Sequence, residues 1–475
     1  FGTGVYGGAY RFAQTGMLMP IDLFLTNSQE TGFTPLYVRY IKEDEERAKV
    51  FLFTVMMLFF VLALIIFLFL YFASCWWVNI LAPGMNISGK TLAAAMLRIM
   101  ALAVPFFILG MFFTYSAMAH GKYLAASLRS TIQSIGLILG SILTIYFKNP
   151  LLLAWGFTGA YIFYFIWLLN DLRGIGILHF KKYLSLDLAR DSLRLFWRCV
   201  KPALMVPILI QGNTAVERIV ASLVQNETVA AVDYAKFITE TGVVLIAIPL
   251  GMVGLSVLSG LDPDLVHQKV GQVANIVLVL TIPFSFFIMT NSVDIVKVLY
   301  ARGAFDQKSV AITAQILCGF SIGLWAQILS FYFIRILNAQ LRNVEVFLYV
   351  SISVFLDIGI KLLLYRNLGP IVLGLGMSVN SIVLFLLTCN ALKLVRDLRT
   401  SALYMAFGTI LYAILNSFIS IYLINLSHVY RLIMIVGISC VFWVGYIFLI
   451  PHLRESLYPV WNKLYSFIKW IFKSN

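Results

Sequence analysis

Residues 211–260 read QGNTAVERIVASLVQNETVAAVDYAKFITETGVVLIAIPLGMVGLSVLSG. The apolar runs of this stretch are long enough for two membrane-spanning helices, which need about 20 residues each, and the polar turn Gln225–Thr228 separates them. Four ionisable residues lie inside the apolar pattern: Glu217, Arg218, Lys236 and Glu240. The stretch therefore predicts a pair of membrane helices that carries charge within its spans.

These charges need a reason, because a charge near the centre of a bilayer costs about 2.5–3.5 kcal/mol on insertion scales. Lys236 and Glu240 are one helical turn apart and therefore share one face. Glu217 and Arg218 lie roughly two turns before the polar connection, which would place both pairs at a similar depth. Two interpretations follow. The pairs are internal salt bridges that only hold helices together, or they line a charged, hydrated cavity that recognises a polar, anionic solute.

The composition indicates a polytopic α-helical membrane protein. The 475 residues are 61% hydrophobic and 12% charged, the mean hydropathy is +0.91, and apolar segments of span length recur along the chain. A formal charge of +14 would suggest nucleic acid in a soluble protein, but basic loops here indicate membrane orientation, so no nucleic-acid partner is expected. The five cysteines have no CxxC spacing, and no disulfide frame or metal site is predicted.

The loops predict how the chain is oriented. Lys and Arg crowd the linker 171–201 and the loops that alternate with it, so this set is predicted to be cytoplasmic. The apolar segments give about thirteen spans. The sequence starts at Phe1 without a signal peptide, so one more helix is expected upstream, for about fourteen spans in the full chain. The tail 451–475 mixes aromatic and basic residues, which suits an amphipathic helix at the cytoplasmic headgroups.

Two segments carry a family resemblance. VERIVASLVQNETVAAVDYAKFI (216–238) and LYARGAFDQKSV (299–310) resemble the MurJ/MviN-type lipid II flippases of the MOP (multidrug/oligosaccharidyl-lipid/polysaccharide) exporter superfamily. Phe1–Gly4 and Thr34–Tyr37 resemble the opening region of that family. The most specific motif is the loop of Arg302, Gly303, Ala304 and Phe305. The similarity covers nearly the whole chain except the first helix of the family.

The resemblance implies an all-α MOP-type fold, with two six-helix lobes around a central cationic cavity and two C-terminal helices. Residues 1–170 would form the N-lobe without its first helix, 171–201 a cytoplasmic basic linker, 202–400 the C-lobe, and 401–450 two helices with a lipid groove. It further implies a flippase of the bacterial cytoplasmic membrane. Such proteins move a polyprenyl-pyrophosphate-linked saccharide, lipid II or a related intermediate, to the outer leaflet by alternating access. The implied partners are undecaprenyl-pyrophosphate-linked saccharide, membrane lipid and cell-envelope synthesis enzymes.

The sequence departs from the family pattern at several charged positions. The acidic residue of the family's opening segment falls on Gly8, and its paired arginines fall on Ile21 and Asp22. The Asp-Arg pair of its central helix falls on Lys236-Phe237. A Wzx-like flippase of O-antigen or exopolysaccharide units is therefore an alternative to a carrier of lipid II.

The predicted headgroup site follows from the charge of the substrate. A pyrophosphate brings roughly two negative charges, and a low-dielectric cavity holds these only against matched cations. Arginine offers a bidentate fork and lysine a compact charge. The substrate-binding residues predicted on this basis are Arg11, Asp22, Arg218, Lys236 and Glu240. The acids would hold the cations in place, and simple interhelix pairing is the alternative role for each residue.

A monovalent cation site is a further expectation, formed by Glu217 and Asp357 as some family members have it. Asp357 lies one turn before Lys361 in an apolar span. A structural Asp357–Lys361 pair on one helical face is therefore the alternative. No other cofactor and no metal is expected.

Two other classes of protein compete with a flippase. A MATE-like drug or cation antiporter would share the architecture, but it typically offers acidic residues in a smaller pocket. An enzyme that acts on polyprenyl phosphates needs clustered carboxylates, a metal site or a His/Asp set near a membrane face. The five histidines are dispersed over separate loops and helix ends. The sequence therefore predicts a transporter and not an enzyme.

Overall fold

The computed structural model describes all residues except 1, 26–27, 174–185, 259–262, 341, 424 and 459–475. Every regular element among the described residues is a helix, and no strand occurs there. The chain divides into two compact units, Thr3–Ala230 and Ala231–Asn475, with Gly2 grouped with the second. The predicted all-α class is confirmed.

The first unit contains the helices α1 (Val5–Phe24), α2 (Thr34–Glu43), α3 (Glu45–Phe72), α4 (Ser74–Leu81), α5 (Ile87–Ala101), α6 (Val104–Ala119), α7 (Leu124–Phe147), α8 (Leu151–Leu172), α9 (Leu186–Ala203) and α10 (Met205–Val224). The helix α11 (Thr228–Leu258) begins in the first unit and continues in the second. The second unit then contains α12 (Pro263–Thr290), α13 (Ser292–Tyr300), α14 (Gln307–Ile322), α15 (Leu324–Ala339), α16 (Asn343–Leu368), α17 (Ile371–Ala391), α18 (Val395–Tyr422) and α19 (His428–Leu449).

Eight helices in the described part of the chain are long and apolar enough to cross a membrane, and two bent pairs raise the number to ten. The pair α5 and α6 is bent by 47° where Pro105 opens α6, since proline supplies no N–H to a continuing helix. The pair α14 and α15 is bent by 48° at Gly323, whose N–H donates to Ser378 Oγ of α17 at 2.8 Å.

Three further helices have span length but do not fall in this apolar set, as far as their residues are described. They are α1 with 20 residues, α10 with 20 and α11 with 31. These helices carry most of the charges predicted for the headgroup site. The structure thus supports eight to ten spans among the described residues, and the predicted number of about thirteen stays a prediction.

Small residues bring helices close together in both units. A Cβ added to Gly136 of α7 would collide with Ala160 and with the backbone of Gly156 in α8. In the second unit, Gly319 of α14 and Gly374 of α17 approach each other in the same way. Such contacts are how helices associate in lipid, where no hydrophobic force drives them together.

The opening segment is a broken helix. A π-helical turn, Ser28–Phe33, separates α1 from α2. The helix α9 packs against this turn, because a Cβ added to Gly32 would collide with Val200 and Phe196 of α9. The second half of the predicted basic linker is therefore a helix that is docked on the first unit.

Some predicted boundaries stay predictions. The first half of the linker, 174–185, and most of the tail, 459–475, lie outside the described residues, while 451–458 are helical. The division between the two units falls inside α11. The lobe bounds at 170, 201 and 400 are retained as predictions.

Candidate functional site

The helix α1 carries two of the charged residues predicted for the headgroup. Arg11 and Asp22 are both half-buried. They share one helical face, about 16 Å apart along the axis. Nη1 of Arg11 donates to Oε1 of Gln14 at 3.3 Å. The polar face of α1 thus has a cation near its start and a carboxylate near its end.

A second arginine in the first unit, Arg129 of α7, was not predicted. It is half-buried, its charge interacts with that of Asp22, and its guanidinium contacts the sulfur of Met111. The sequence did contain a signal for it. Arg129 is an ionisable residue inside the apolar span Leu124–Phe147, and the argument from the cost of a buried charge that singled out Arg218 applies equally here.

Hydroxyl and amide groups complete this region. Tyr161 OH donates to Oε1 of Gln133 at 2.8 Å, and Tyr161 lies within electrostatic range of both Asp22 and Arg129. Tyr10 lies within the same range of Arg11 and Tyr161. We name these residues the first-unit polar cluster: Tyr10, Arg11, Asp22, Arg129, Gln133 and Tyr161. Two guanidinium groups and several neutral hydrogen-bonding groups accompany a single carboxylate in it.

Glu217 and Arg218 of α10 are also in the first unit, and both are buried, with exposed fractions of 2% and 6%. Nη1 of Arg218 donates to the carbonyl oxygen of Val229 at 3.2 Å, across the turn that joins α10 to α11. One turn further along α10, Oγ of Ser222 accepts from the N–H of Gly84 at 3.2 Å. Arg218 therefore stabilises the turn between α10 and α11, the two helices that the sequence singled out.

Lys236 and Glu240 belong to the second unit, on α11. Lys236 is half-buried and Glu240 is exposed. Their four-residue spacing places both on one helical face. The predicted headgroup residues are thus divided, with Arg11, Asp22 and Arg218 in the first unit and Lys236 and Glu240 in the second.

The motif loop Arg302–Phe305 follows α13. Arg302, Gly303 and Ala304 are exposed, whereas Phe305 is buried. The Phe305 ring contacts Tyr234 of α11 and Tyr300 of α13, with ring centroids 5.2 and 5.7 Å apart, respectively. Tyr300 OH donates to the carbonyl oxygen of Tyr234 at 3.2 Å. The two segments that carried the family resemblance therefore pack against each other through these three aromatic rings.

The predicted Asp357–Lys361 pair is present in α16. Lys361 Nζ donates to Asp357 Oδ2 at 2.9 Å, and both side chains are fully buried. Gly376 of α17 faces the pair, since a Cβ there would collide with the Asp357 carboxylate. The predicted ion pair is therefore present, and the cation site of Glu217 and Asp357 stays a prediction.

The chemistry of the first-unit polar cluster suits an oxyanion. Arginine forks and tyrosine hydroxyls donate hydrogen bonds to phosphate oxygens, and half-buried cations hold negative charge more strongly than exposed ones. Within the described residues, no group of three or more His, Cys, Asp or Glu residues could hold a metal ion. The two guanidinium groups, set against one carboxylate, suit the cluster to binding an anion.

Comparison with known proteins shows the family of the chain. A family model described as "Lipid II flippase MurJ" matches residues 1–455. The "Probable lipid II flippase MurJ" of Thermotoga maritima is 24% identical over 403 residues, which cover 83% of this chain and 80% of the relative. The protein of the same description from Synechocystis sp. is 25% identical over 409 residues, which cover 82% and 75%, respectively.

Two solved structures show the same fold. A lipid II flippase MurJ in an inward closed conformation matches with a TM-score of 0.78 at 21% identity, covering 93% of this chain and 92% of that one. An inward-facing MATE family multidrug transporter of the MOP superfamily matches with a TM-score of 0.66 at 14% identity, covering 84% and 96%. The predicted MOP-type fold of a multi-pass membrane transporter is confirmed. Since the family model spans nearly the whole sequence, the chain belongs to the lipid II flippase MurJ family.

Proposed function

We propose that this protein carries a polyprenyl-pyrophosphate-linked saccharide, with lipid II as the first candidate, from the inner to the outer leaflet of the bacterial cytoplasmic membrane by alternating access. The observation that carries the proposal is the family match over residues 1–455. The first-unit polar cluster supplies the chemistry that the headgroup needs. The sugar, the membrane and the direction of transport are parts of the proposal.

Within the first unit, Arg11 and Arg129 bind the pyrophosphate. Both arginine side chains are half-buried. They are partly shielded from bulk water and still accessible to a ligand. We assign Asp22 as the counter-charge of Arg129 when no substrate is bound, because the two opposite charges are close enough to attract each other. This carboxylate lowers the cost of keeping the guanidinium in the membrane before substrate binds. The incoming phosphate then competes with the carboxylate for the guanidinium.

Lys236 of the second unit stays a proposed headgroup residue, with Glu240 on the same face of α11. A lysine gives a compact charge that accepts phosphate from several directions, whereas an arginine fork fixes one geometry. Arg218 remains in the proposed set as the residue that shapes the turn before α11, because its guanidinium already donates to the Val229 carbonyl oxygen.

A monovalent cation at Glu217 or Asp357 is a secondary part of the proposal. Glu217 is buried with 2% exposure, which is the setting in which a carboxylate needs a counter-charge. At Asp357 the Lys361 ammonium already fills this role. Enzymes of cell-envelope synthesis would supply the lipid-linked substrate and use it after transport.

The test is transport in vesicles that contain the purified full-length protein. Fluorescent lipid II and a fluorescent undecaprenyl-pyrophosphate unit of the O-antigen type are each offered, and their transfer between leaflets is measured. Removing a charge-assisted hydrogen bond costs about 1.5–3 kcal/mol. We therefore expect Arg129→Gln and Arg11→Gln each to slow transport of the preferred lipid by roughly 10- to 100-fold.

The matched control is Arg39→Gln. Arg39 lies on α2 in an exposed ion pair with Glu43 at 2.9 Å, and such pairs contribute little. This variant should transport at the wild-type rate. Faster transfer of the O-antigen unit than of lipid II would assign the alternative substrate. Equal rates with and without the protein for both lipids would refute the flippase proposal.

A further inference from the structure

The helix α9 presents a continuous basic face. Its exposed residues include four cations and a tryptophan: Arg190, Arg194, Trp197, Arg198 and Lys201. At 100° per residue these five positions fall within an arc of about 100°. The acids of α9 are Asp187 and Asp191, against these four cations. The helix therefore has a net positive charge, and its exposed cations share one face.

The opposite face of α9 is docked on the first unit. Phe196 and Val200 are buried, with 2% exposure each. The Phe196 ring lies 6.3 Å from that of Phe51 and 6.4 Å from that of Phe59, both in α3. This anchoring fixes the orientation of α9, so the basic face points away from the protein.

The anchor also places α9 at the end of a membrane span. The helix α3, Glu45–Phe72, is the most apolar of the candidate spans among the described residues. Its acidic first turn includes Glu45 and Glu46, and Phe51 follows them by about one turn. The boundary between water and hydrocarbon lies close to this point. The Phe196 ring also reaches Phe59, eight residues further into the span, so this ring points from the boundary into the hydrocarbon and α9 lies near the lipid headgroups.

We propose that the basic face of α9 binds the headgroups of anionic phospholipids. Arginine forks match the phosphate oxygens, and Trp197, which is 54% exposed, has the ring type that favours the interface between headgroups and acyl chains. A cation near an anionic membrane surface contributes about 1 kcal/mol, a preference of roughly fivefold per residue. A zwitterionic headgroup offers no such net attraction. The surface thus selects lipid by charge.

Binding at this face has a consequence for the other side of the helix. Phe196 and Val200 of α9 touch Gly32 in the π-helical turn between α1 and α2. Lipid that holds α9 in place therefore also holds this turn. Anionic lipid stabilises the connection at the end of the helix that carries Arg11 and Asp22.

The test is hydrogen exchange of the full-length protein in lipid nanodiscs. Discs of phosphatidylcholine alone are compared with discs that also contain phosphatidylglycerol. Amide exchange in 188–201 is expected to slow by about fivefold or more in the anionic discs, and exchange in 28–40 should slow with it. The double variant Arg194→Gln/Arg198→Gln should remove most of this difference.

The control is Arg396→Gln/Arg399→Gln, which removes the same charge from exposed positions at the start of α18. It should keep the full effect of phosphatidylglycerol on α9. A second readout is quenching of tryptophan fluorescence by brominated phosphatidylglycerol, measured as the difference between wild type and Trp197→Phe. This difference should exceed that with brominated phosphatidylcholine. Equal exchange of α9 in both kinds of disc, or equal loss of the effect in the control, would overturn the proposal. Neither readout depends on transport.

Discussion

Lys361 Nζ donates to Asp357 Oδ2 at 2.9 Å, with both side chains fully buried in a membrane-spanning helix. Gly376 of the neighbouring helix α17 leaves the room that the carboxylate needs. A buried pair of this kind gives little net stability, because desolvation offsets the attraction. Removal of one partner, however, leaves an uncompensated charge.

The first prediction is therefore that removing one partner of the pair destabilises the protein more than removing both. Lys361→Met should destabilise the protein by about 3–5 kcal/mol, whereas Asp357→Leu/Lys361→Met should recover most of that loss. Thermal unfolding of the purified protein in detergent measures both. Sodium should not raise the unfolding temperature of the wild type if Lys361 is the only counter-charge. A rise with sodium that disappears in Asp357→Asn would instead support the cation site at Asp357.

The second prediction separates two cations that sequence reasoning treated alike. Lys236→Ala should abolish transport in cells while leaving the amount of inserted protein unchanged, and Lys236→Arg should retain part of the activity because the charge is kept. Arg218→Ala should also lower the amount of folded protein, because it leaves the Val229 carbonyl oxygen without this donor. Complementation of a strain depleted of its flippase, together with immunoblotting, measures both effects. Normal complementation by Lys236→Ala would remove this residue from the headgroup site.

The third prediction concerns the motif loop. Phe305→Ala removes a ring that is packed against Tyr234 and Tyr300 and should cost about 3–5 kcal/mol. Gly303 has a φ of +60°, so Gly303→Ala should cost about 1–2 kcal/mol. Gly159→Ala is the control, since Gly159 lies in α8 with no atom near its added Cβ, and it should be neutral or slightly stabilising. Thermal unfolding measures the stability of the three variants, and Phe305→Ala should lose the most. An unchanged unfolding temperature for Phe305→Ala would contradict the packing argument.

The fourth prediction concerns pH. The Tyr37 hydroxyl and His120 Nε2 lie 3.1 Å apart at the turn after α6, and burial lowers the pKa of His120 below its ordinary value. The folded state thus favours the neutral ring. The stability that this provides is complete above the unfolded pKa of about 6.5 and is lost as the pH falls through the folded pKa. His120→Gln should flatten the dependence of unfolding temperature on pH in this window. An unchanged slope would exclude His120 as its source.

The fifth prediction concerns the energy source. Membrane potential, negative inside, favours outward movement of negative charge by about 2.3 kcal/mol per charge per 100 mV. We therefore expect transport of an anionic headgroup in vesicles to slow markedly when the potential is collapsed at constant pH and sodium. Unchanged rates there, together with loss of transport on removal of a proton or sodium gradient, would indicate ion antiport. In that case Glu217→Gln is the first variant to examine.

The fold was predictable because a bilayer demands long apolar segments, and these are visible in any single sequence. The charges of α10 and α11 stood out for the same reason. Local spacing was equally informative, since Asp357 and Lys361 pair at the distance of one turn that the sequence showed. Properties that depend on a single helix could therefore be predicted from the sequence.

Properties that depend on the packing of two helices could not be predicted from the sequence. Gly376 shapes the surroundings of Asp357 from α17, and Arg129 interacts with Asp22 from α7. Nothing in the sequence shows which segments become neighbours. Arg218 was singled out as a headgroup ligand, and its bond to the Val229 carbonyl oxygen depends on a turn geometry that sequence does not reveal.

The bends in the two units differ by only one degree, 47° between α5 and α6 and 48° between α14 and α15. The first bend uses a proline and the second a glycine that is bonded to a serine of a neighbouring helix. The first bend is set by a residue of the bent pair itself, whereas the second is bonded to α17. Only the second bend is therefore coupled directly to the position of a third helix.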